Sequence, residues 1–381
     1  MMTTIDQLKT PALLLDIDIL EKNLQKMQNL ALKHRVSLRP HIKTHKCVEI
    51  AKRQQALGAK GITVSTFYEA EQFAAAGFND ITWAIPFPTV YAEKAVELAN
   101  KITLRFVVDS KEAYAVLLKA AASSSKPIHI WLKVDCGYHR AGVDPSSSFA
   151  EELARSLTKS EAIQFDGILT HAGHSYSAQT KNEIIEIAET ERSLMISFAE
   201  WLRGNGIAVP AISIGSTPTS TLAMKLDGIS EIRPGNYAFH DYTQVQLGVC
   251  DINECALTVL ASVVSHQPEA RHFVTDAGAL ALSKDPGATH IRNDMGMGIL
   301  YEDYERKRLY AHLDVQIQSL SQEHGKIVID RYADIEGKFK VGEKIRVLEH
   351  HSCLTAANFD KYYVVRGNEV IDEWKILRGR M

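Results

Sequence analysis

The segment SLRPHIKTHK, residues 37–46, carries basic or imidazole side chains at every second position: Arg39, His41, Lys43 and His45. Side chains two residues apart on a β-strand share a face, so a strand over residues 37–44 is predicted to hold Lys43 on a polar face. In a barrel of parallel strands, that face points inward, near the end where active sites lie. Burial there lowers the pKa of a lysine and suits covalent chemistry with a carbonyl group. A surface lysine in a basic edge segment is the alternative.

The same segment is the first of eight short β-branched runs that alternate with helical stretches. The predicted strands are residues 37–44, 62–66, 81–85, 104–108, 128–134, 165–171, 211–215 and 231–234. Helical spacing of apolar residues predicts amphipathic helices over residues 17–34 and 178–203. This alternation favours an α/β fold, a (β/α)8 TIM-type barrel, over residues 17–245. A doubly wound open sheet is the alternative.

The pattern changes after about residue 241, where short alternating runs replace the helical spacing. These runs are residues 256–265, 272–275, 312–320, 326–330, 344–348 and 361–365. They indicate a second, mainly β domain over residues 246–381. The apolar run at residues 12–16 is expected to pair with it, so residues 1–16 are assigned to the same domain.

The charge, hydropathy and cysteine content of the chain limit the kinds of binding partner that it is expected to have. The chain has 381 residues, a formal net charge of -3 and charges of both signs along its length, which argues against a nucleic-acid or membrane partner. No apolar run is long enough to cross a bilayer, and the N-terminal residues lack the pattern of a secretory signal. Five irregularly spaced cysteines favour reduced thiols and a cytoplasmic protein.

Two hydroxyl- and glycine-rich segments follow the seventh and eighth predicted strands. They read SIGSTPTST (residues 213–221) and EIRPGNY (residues 231–237). Barrels commonly bind phosphate at these two loops, through backbone N–H groups and helix N-termini. Either segment alone would be an ordinary turn, but their joint placement predicts a phosphate site. The candidate residues are Ser216, Thr217, Gly235, Asn236 and Tyr237.

A candidate metal site lies in the C-terminal domain. His351 and Cys353 are two residues apart, so on a strand their side chains would face the same way. An imidazole and a thiolate form half of a site for a divalent ion, with positions left for water and substrate. A buried cysteine beside a core histidine is the alternative.

Several segments together resemble a known enzyme family. They are TPALLLD (10–16), RPHIKTHK (39–46), DCGYHRAG (135–142), HAGHSY (171–176), GSTPT (215–219), RPGNY (233–237), DAGALALSKD (276–285), QEHG (322–325) and HHSC (350–353). In this order they resemble the fold-type III pyridoxal-phosphate enzymes, the alanine racemase-like barrel group. Within that group, the resemblance is to the D-serine dehydratase and D-threonine aldolase family.

The resemblance implies a role for each candidate residue. Lys43 would carry pyridoxal 5'-phosphate covalently, Arg140 would contact its phenolic oxygen, and the segment from His171 to Tyr176 would flank its ring. The two loops described above would hold its phosphate. His351 and Cys353 would bind the metal, which is zinc or else manganese or cobalt. The chain departs from the family in the two residues before this motif, which are Glu349 and His350.

The implied reaction is dehydration of a D-3-hydroxy amino acid to a 2-oxo acid and ammonia. Family members with H-x-C at the metal motif are dehydratases, whereas the aldolases carry H-x-D. D-threo-3-hydroxyaspartate is the first expected substrate and D-serine the second, and the family implies a homodimer. A metal-dependent D-threonine aldolase, a non-catalytic cofactor-binding protein and an amino-acid racemase stay open as alternatives.

Overall fold

The computed structural model describes residues 3–303, 308–309, 315–329 and 337–379. The chain divides into two compact units. One, called here the α/β unit, comprises Lys26–Lys43, Val48–Gly235 and Gly379–Met381. The other, called the β unit, comprises Met1–Gln25, Thr44–Cys47 and Asn236–Arg378.

An eight-stranded parallel sheet forms the centre of the α/β unit. Its strands are Ser37–Leu38, Ile62–Val64, Asp80–Pro86, Thr103–Val108, Ile128–Lys133, Ile163–Leu169, Ala211–Ile214 and Glu231–Ile232. Each strand from the second to the seventh pairs with the next in sequence, and the eighth pairs with the first. Thr63 N–H also donates to Pro40 O at 2.8 Å, which links the first segment to the second strand. The sheet therefore curls back on itself, and the predicted eight parallel strands are confirmed.

Helices alternate with these strands. They are Ile17–Lys33, Val48–Ala56, Phe67–Ala75, Ala92–Lys101, Lys111–Ala121, Ser148–Leu157, Lys181–Gly204 and Thr217–Leu222. Several begin where a hydroxyl oxygen accepts a backbone N–H of the first turn, as Thr66, Ser110 and Thr180 do. The helix predicted over residues 17–34 begins at the observed residue and ends one residue late, and the one predicted over residues 178–203 begins three residues early and ends one residue early.

The β unit contains a mainly antiparallel sheet, as the sequence predicted. Its strands are Thr3–Thr4, Ala12–Asp16, Leu257–Gln267, His272–Thr275, Ile299–Asp303, Arg308–Leu309, Val315–Leu320, Gly325–Ile329, Lys344–Leu348, Lys361–Arg366 and Glu369–Lys375. The expected pairing of residues 12–16 is observed, antiparallel to Leu257–Gln267 and parallel to Lys361–Arg366. The sequence reading missed Thr3–Thr4, Ile299–Asp303, Arg308–Leu309 and Glu369–Lys375. Residues 312–314 and 330 of the predicted runs lie outside the described residues.

The first predicted strand is shorter than expected. Strand geometry is assigned to Ser37–Leu38, although Arg39 and His41 still donate their N–H groups to Ile232 O and Pro234 O, each at 3.0 Å. The chain then turns into a 3-10 helix, Ile42–Thr44, so Lys43 lies in a turn and not on the strand. Pro40 has no N–H to add to the ladder, which fits an early end of the strand.

The metal motif also differs from its predicted geometry. His351 precedes the short helix Ser352–Ala356, and Cys353 lies in its first turn. The Asp241 carboxylate accepts the Ser352 N–H at 3.0 Å and so stabilises the helix start. The assumption of a strand at His351 and Cys353 is therefore wrong. Among the described residues, no helix is long and apolar enough to cross a membrane.

Candidate active site

A cavity of about 500 Å³ opens in the α/β unit, beside the carboxyl ends of the parallel strands. Its basic and imidazole lining residues are His41, Lys43, Lys133, Arg140, His171 and Arg233. Apolar wall comes from Ile85, Pro86 and Leu169. None of the described residues that line it is acidic. Carboxyl ends of barrel strands are where active sites form, and the excess of positive charge predicts an anionic ligand.

Lys43 reaches this cavity from the 3-10 turn and is half-buried. Its backbone N–H lies 3.5 Å from His41 Nδ1, while His41 Nε2 lies 3.4 Å from Ser65 Oγ. The His41 ring is thus placed by a neighbour on each side and lines the same cavity. Arg39, by contrast, forms ion pairs with Asp80 and Glu231 and does not line the cavity. Of this segment, His41 and Lys43 line it.

His171 lines the cavity as a neutral ring. Its Nδ1 lies 3.0 Å from the Gly215 carbonyl oxygen, which can only accept, so Nδ1 carries the proton. Burial lowers the pKa of His171 well below its ordinary value, and the positive charges of Lys43 and Lys133 lower it further. In the neutral ring, Nε2 is therefore an acceptor.

Arg140 lies in the loop after the strand Ile128–Lys133, and its guanidinium sits 4.7 Å from the centre of the Tyr138 ring. The loop is tightly folded, because the Asp135 carboxylate accepts backbone N–H groups at 2.9 and 3.0 Å. Gly142 closes it with φ +118°, and an added Cβ would meet the Val134 carbonyl carbon at 2.6 Å. The DCGYHRAG segment thus holds Arg140 at the cavity.

Sequence reasoning missed two cavity cations, Lys133 and Arg233. Lys133 is 5% exposed, and burial together with the charges of Arg233 and Arg140 lowers its pKa to about 8. Burial also lowers the pKa of Arg233 to about 10, against the opposing charge of Glu231. Arg233 donates to Ser213 Oγ and to the Thr170 carbonyl. Lys133 lies two residues before the motif DCGYHRAG, and Arg233 is the first residue of RPGNY, so their closeness to these motifs was the available signal.

The predicted phosphate residues are only partly brought together. Gly215 lines the cavity, and Ser216 and Thr217 follow it at the start of the helix Thr217–Leu222. Ser216 Oγ accepts the Thr219 N–H at 3.2 Å, which commits its hydroxyl to capping that helix. Tyr176 lies in the 3-10 helix Gly173–Ser177 and is not among the cavity-lining residues.

The eighth-strand loop is divided between the units after Gly235. Asn236 and Tyr237 belong to the β unit and are buried. The Asn236 amide donates to Asp241 Oδ2 at 2.6 Å and to Ser352 Oγ at 3.0 Å. Its N–H groups are therefore engaged beside the metal motif.

His351 and Cys353 lie side by side in the β unit, although not on a strand. His351 Nδ1 lies 2.6 Å from Asp285 Oδ2. Burial lowers the pKa of His351, but Asp285 and Cys353 outweigh it and raise that pKa to about 11. His350 instead points its Nδ1 to Pro286 O at 2.8 Å. His351 is therefore the histidine placed beside the cysteine.

The donor set fits a transition-metal ion in part. Metal-binding histidines usually donate their second ring N–H to a carboxylate, as His351 does to Asp285. Across the described ranges, however, no group of three or more His, Cys, Asp or Glu side chains is placed to hold a metal. Glu349 is fully buried behind the motif, and burial and the Asp241 charge raise its pKa well above its ordinary value.

Known proteins are similar to this chain along its length. A model of the alanine racemase N-terminal domain matches residues 15–243, and one of a putative serine dehydratase domain matches residues 256–365. D-threo-3-hydroxyaspartate dehydratase of Delftia sp. (strain HT23) is 35% identical over 100% of both chains. D-serine dehydratase of Dictyostelium discoideum is 37% identical over 97% of each. A mutant of D-threo-3-hydroxyaspartate dehydratase, solved in the metal-free form, has a TM-score of 0.92 at 34% identity, covering 99% of this chain and 100% of that one.

Proposed function

Because this chain belongs to the family that joins an alanine racemase N-terminal domain to a serine dehydratase domain, we propose that it is a 3-hydroxy-D-amino-acid dehydratase dependent on pyridoxal phosphate and a divalent metal. It converts the substrate to a 2-oxo acid and ammonia. D-threo-3-hydroxyaspartate, which gives oxaloacetate, is the first candidate substrate, and D-serine, which gives pyruvate, is the second. The full-length similarity to two dehydratases supports both candidate substrates.

The observation that carries the proposal is Lys43 in a cavity walled by cations. Pyridoxal phosphate is an anionic aldehyde, so it requires an amine to attach to and positive charge around it. Lys43 offers the amine, and Lys133, Arg140 and Arg233 offer the charge. When bound, the cofactor supplies an electron sink that makes the α-proton of an amino acid acidic.

The side chains of the cavity bind and orient the substrate and transfer its α-proton. With the cofactor bound, Lys43 Nζ would be the base that removes the α-proton from one face. Pro86 and Leu169 exclude water from part of the cavity, and the neutral His171 adds no positive charge of its own beside Lys43. A single base on one face selects one enantiomer, and similarity to dehydratases of D-amino acids supports the D-isomer.

We assign the divalent metal to His351 and Cys353, with zinc first and manganese or cobalt next. Support comes from the Asp285–His351 hydrogen bond, from the adjacent Cys353, and from the metal-free description of a mutant of the related dehydratase. A metal here would act as a Lewis acid for the departing hydroxyl group.

The remaining parts of the proposal concern the whole chain. We take the curled parallel sheet to be a closed (β/α)8 TIM-type barrel, supported by the hydrogen bond from Thr63 N–H to Pro40 O. The expected partners are a small D-amino acid and a second copy of the chain, without nucleic acid or membrane. Sedimentation analysis checks the homodimer.

A panel of D- and L-3-hydroxy amino acids tests the function. Ammonia and a 2-oxo acid should appear with D-threo-3-hydroxyaspartate and D-serine, and not with the L-isomers. Lys43→Ala should lose both turnover and the visible absorption of bound cofactor, whereas Lys46→Ala is the matched control and should keep the absorption. Release of glycine and an aldehyde would identify an aldolase, and comparable turnover of an L-isomer would contradict the single-base mechanism.

A further inference from the structure

We propose that Glu191 is a positioning residue, which fixes the Gly215 loop for the cofactor's phosphate group and so sets the affinity for the phosphorylated cofactor. Glu191 lies on the helix Lys181–Gly204 and does not line the cavity itself. The inference rests on the proposed function, because it takes pyridoxal phosphate as the ligand.

One oxygen of Glu191 holds two cavity loops at once. The side chain is 1% exposed, and its Oε1 accepts the Ala172 N–H at 3.0 Å and the Gly215 N–H at 3.1 Å. Ala172 directly follows His171, while Gly215 directly precedes Ser216 and Thr217. A buried acceptor shared by two backbone donors fixes their separation, because losing it leaves both N–H groups unsatisfied.

Gly215 is held from its carbonyl side as well. His171 Nδ1 donates to its oxygen at 3.0 Å, and Ser175 Oγ lies 3.0 Å from Ser216 Oγ. Gly215 has φ +120°, and a Cβ there would meet Ser220 Oγ at 2.8 Å, so the backbone conformation requires glycine. With both its N–H and its carbonyl bonded, the Gly215 peptide groups have one orientation, which sets where the following helix begins.

The effect of burial on the charge of Glu191 is compatible with a phosphate group bound nearby. Burial raises its pKa, which favours the neutral acid, although the Gly215 and Ala172 N–H groups and the Arg233 charge oppose this. Burial disfavours a negative charge at this position, and Oε1 can accept both N–H groups whether or not the carboxyl group is protonated. An amide oxygen would serve the same purpose, so glutamine is the conservative replacement.

Comparing two forms of the cofactor separates positioning from general stability. The apoprotein's dissociation constants for pyridoxal 5'-phosphate and for pyridoxal, which lacks the phosphate, are measured by fluorescence for Glu191→Ala and Glu191→Gln. Glu186→Ala, on an exposed position of the same helix, is the matched control. Loss of two buried hydrogen bonds should weaken binding of the phosphorylated form about tenfold or more. Binding of pyridoxal should change less than about twofold, and the glutamine and control variants should stay near the wild-type value.

Glu191→Asp provides a second measurement if the alanine variant does not fold. Its shorter side chain cannot reach both N–H groups, so it should show the same selective loss in smaller degree. If a folded Asp or Ala variant binds both cofactor forms equally more weakly, or binds both as tightly as the wild type, the inference is wrong, while the proposed function stands. Failure of the wild-type apoprotein to bind pyridoxal phosphate would overturn the proposed function and this inference with it.

Discussion

At the scale of one residue, burial of the charged Lys133 in the cavity lowers the stability of the protein when no anion is bound. The lysine is buried, and its pKa is lowered from 10.5 to about 8 by burial and by the charges of Arg233 and Arg140. Cys136 and Asp109 offset this only in part. In the apoprotein, the charged form of Lys133 therefore opposes folding, and a bound anion would relieve that opposition.

Replacing Lys133 by methionine should stabilise the apoprotein at neutral pH. Because the folded pKa lies below the unfolded one, the unfolded chain binds more protons between about pH 8 and 10.5, so stability rises with pH across that window. Below pH 8 the penalty is complete, and its upper bound is ~3 kcal/mol for this shift. Urea unfolding of the apoprotein at several pH values measures it. The gain in Lys133→Met should be largest below pH 8 and fade by pH 10.5.

Lys159→Met, at an exposed position of the same unit, is the control and should leave stability within ~0.5 kcal/mol. A loss of apoprotein stability in Lys133→Met at pH 7 would show that Lys133 is favourably paired without ligand.

At the scale of elements, the candidate reactive residues Lys43 and Cys353 lie in short helical turns and not on strands. The alternation of side chains correctly placed His41 in the cavity, because the segment stays extended that far. Alternation cannot foresee the turn Ile42–Thr44, since the turn depends on the chain leaving the sheet after His41. Lys43 lines the cavity nevertheless, because a turn right after the strand end keeps its side chain near the same edge.

The metal motif was predicted for the wrong geometrical reason. The spacing of His351 and Cys353 suggested a shared strand face, yet their side chains meet at the start of a helix. What fixes them is distant in sequence: Asp241 at the Ser352 N–H and Asp285 at the His351 ring. Single-sequence periodicity carries no information on such long-range partners, which is also why Lys133 and Arg233 were missed.

Asp285→Asn should weaken metal binding without unfolding the β unit. The carboxylate orients His351 through a 2.6 Å hydrogen bond, and such partners of metal-binding histidines contribute about 10- to 100-fold in affinity. Competition with a chromophoric chelator measures the zinc affinity. Asp294→Asn is the control, because Asp294 pairs with the exposed Arg292. Equal zinc affinity in the Asp285 variant and the wild type would contradict the orienting role.

At the scale of the whole molecule, the interactions that stabilise the fold do not involve the candidate metal site. In the β unit, strand pairing and buried apolar clusters such as Ile5, Leu14, Leu260 and Val365 provide the stability. Structural zinc sites usually have four protein ligands, and here the candidate ligands are His351 and Cys353. The metal is therefore expected to serve the reaction and not the fold.

Removing the metal should abolish dehydration and leave the protein folded with its cofactor bound. Melting temperature and visible absorption, recorded with and without chelator, measure this, and Cys353→Ala should match the chelated enzyme. β-Chloro-D-alanine has a better leaving group than hydroxide, so its elimination should depend less on the metal. A large drop in melting temperature on chelation would make the ion structural, and equal loss of both substrates would remove its role at the leaving group.

The strand Ala12–Asp16 has a consequence for how the chain is made. Its partners on either side are Leu257–Gln267 and Lys361–Arg366, so a ribosome synthesises it first and must add some 240 residues before one partner exists. Until Lys361–Arg366 emerges, Leu13, Leu14 and Leu15, which end fully buried, lack their final neighbours. The nascent chain therefore carries an unpaired apolar strand until those partners have been made, a state in which exposed strand edges invite aggregation or chaperone binding.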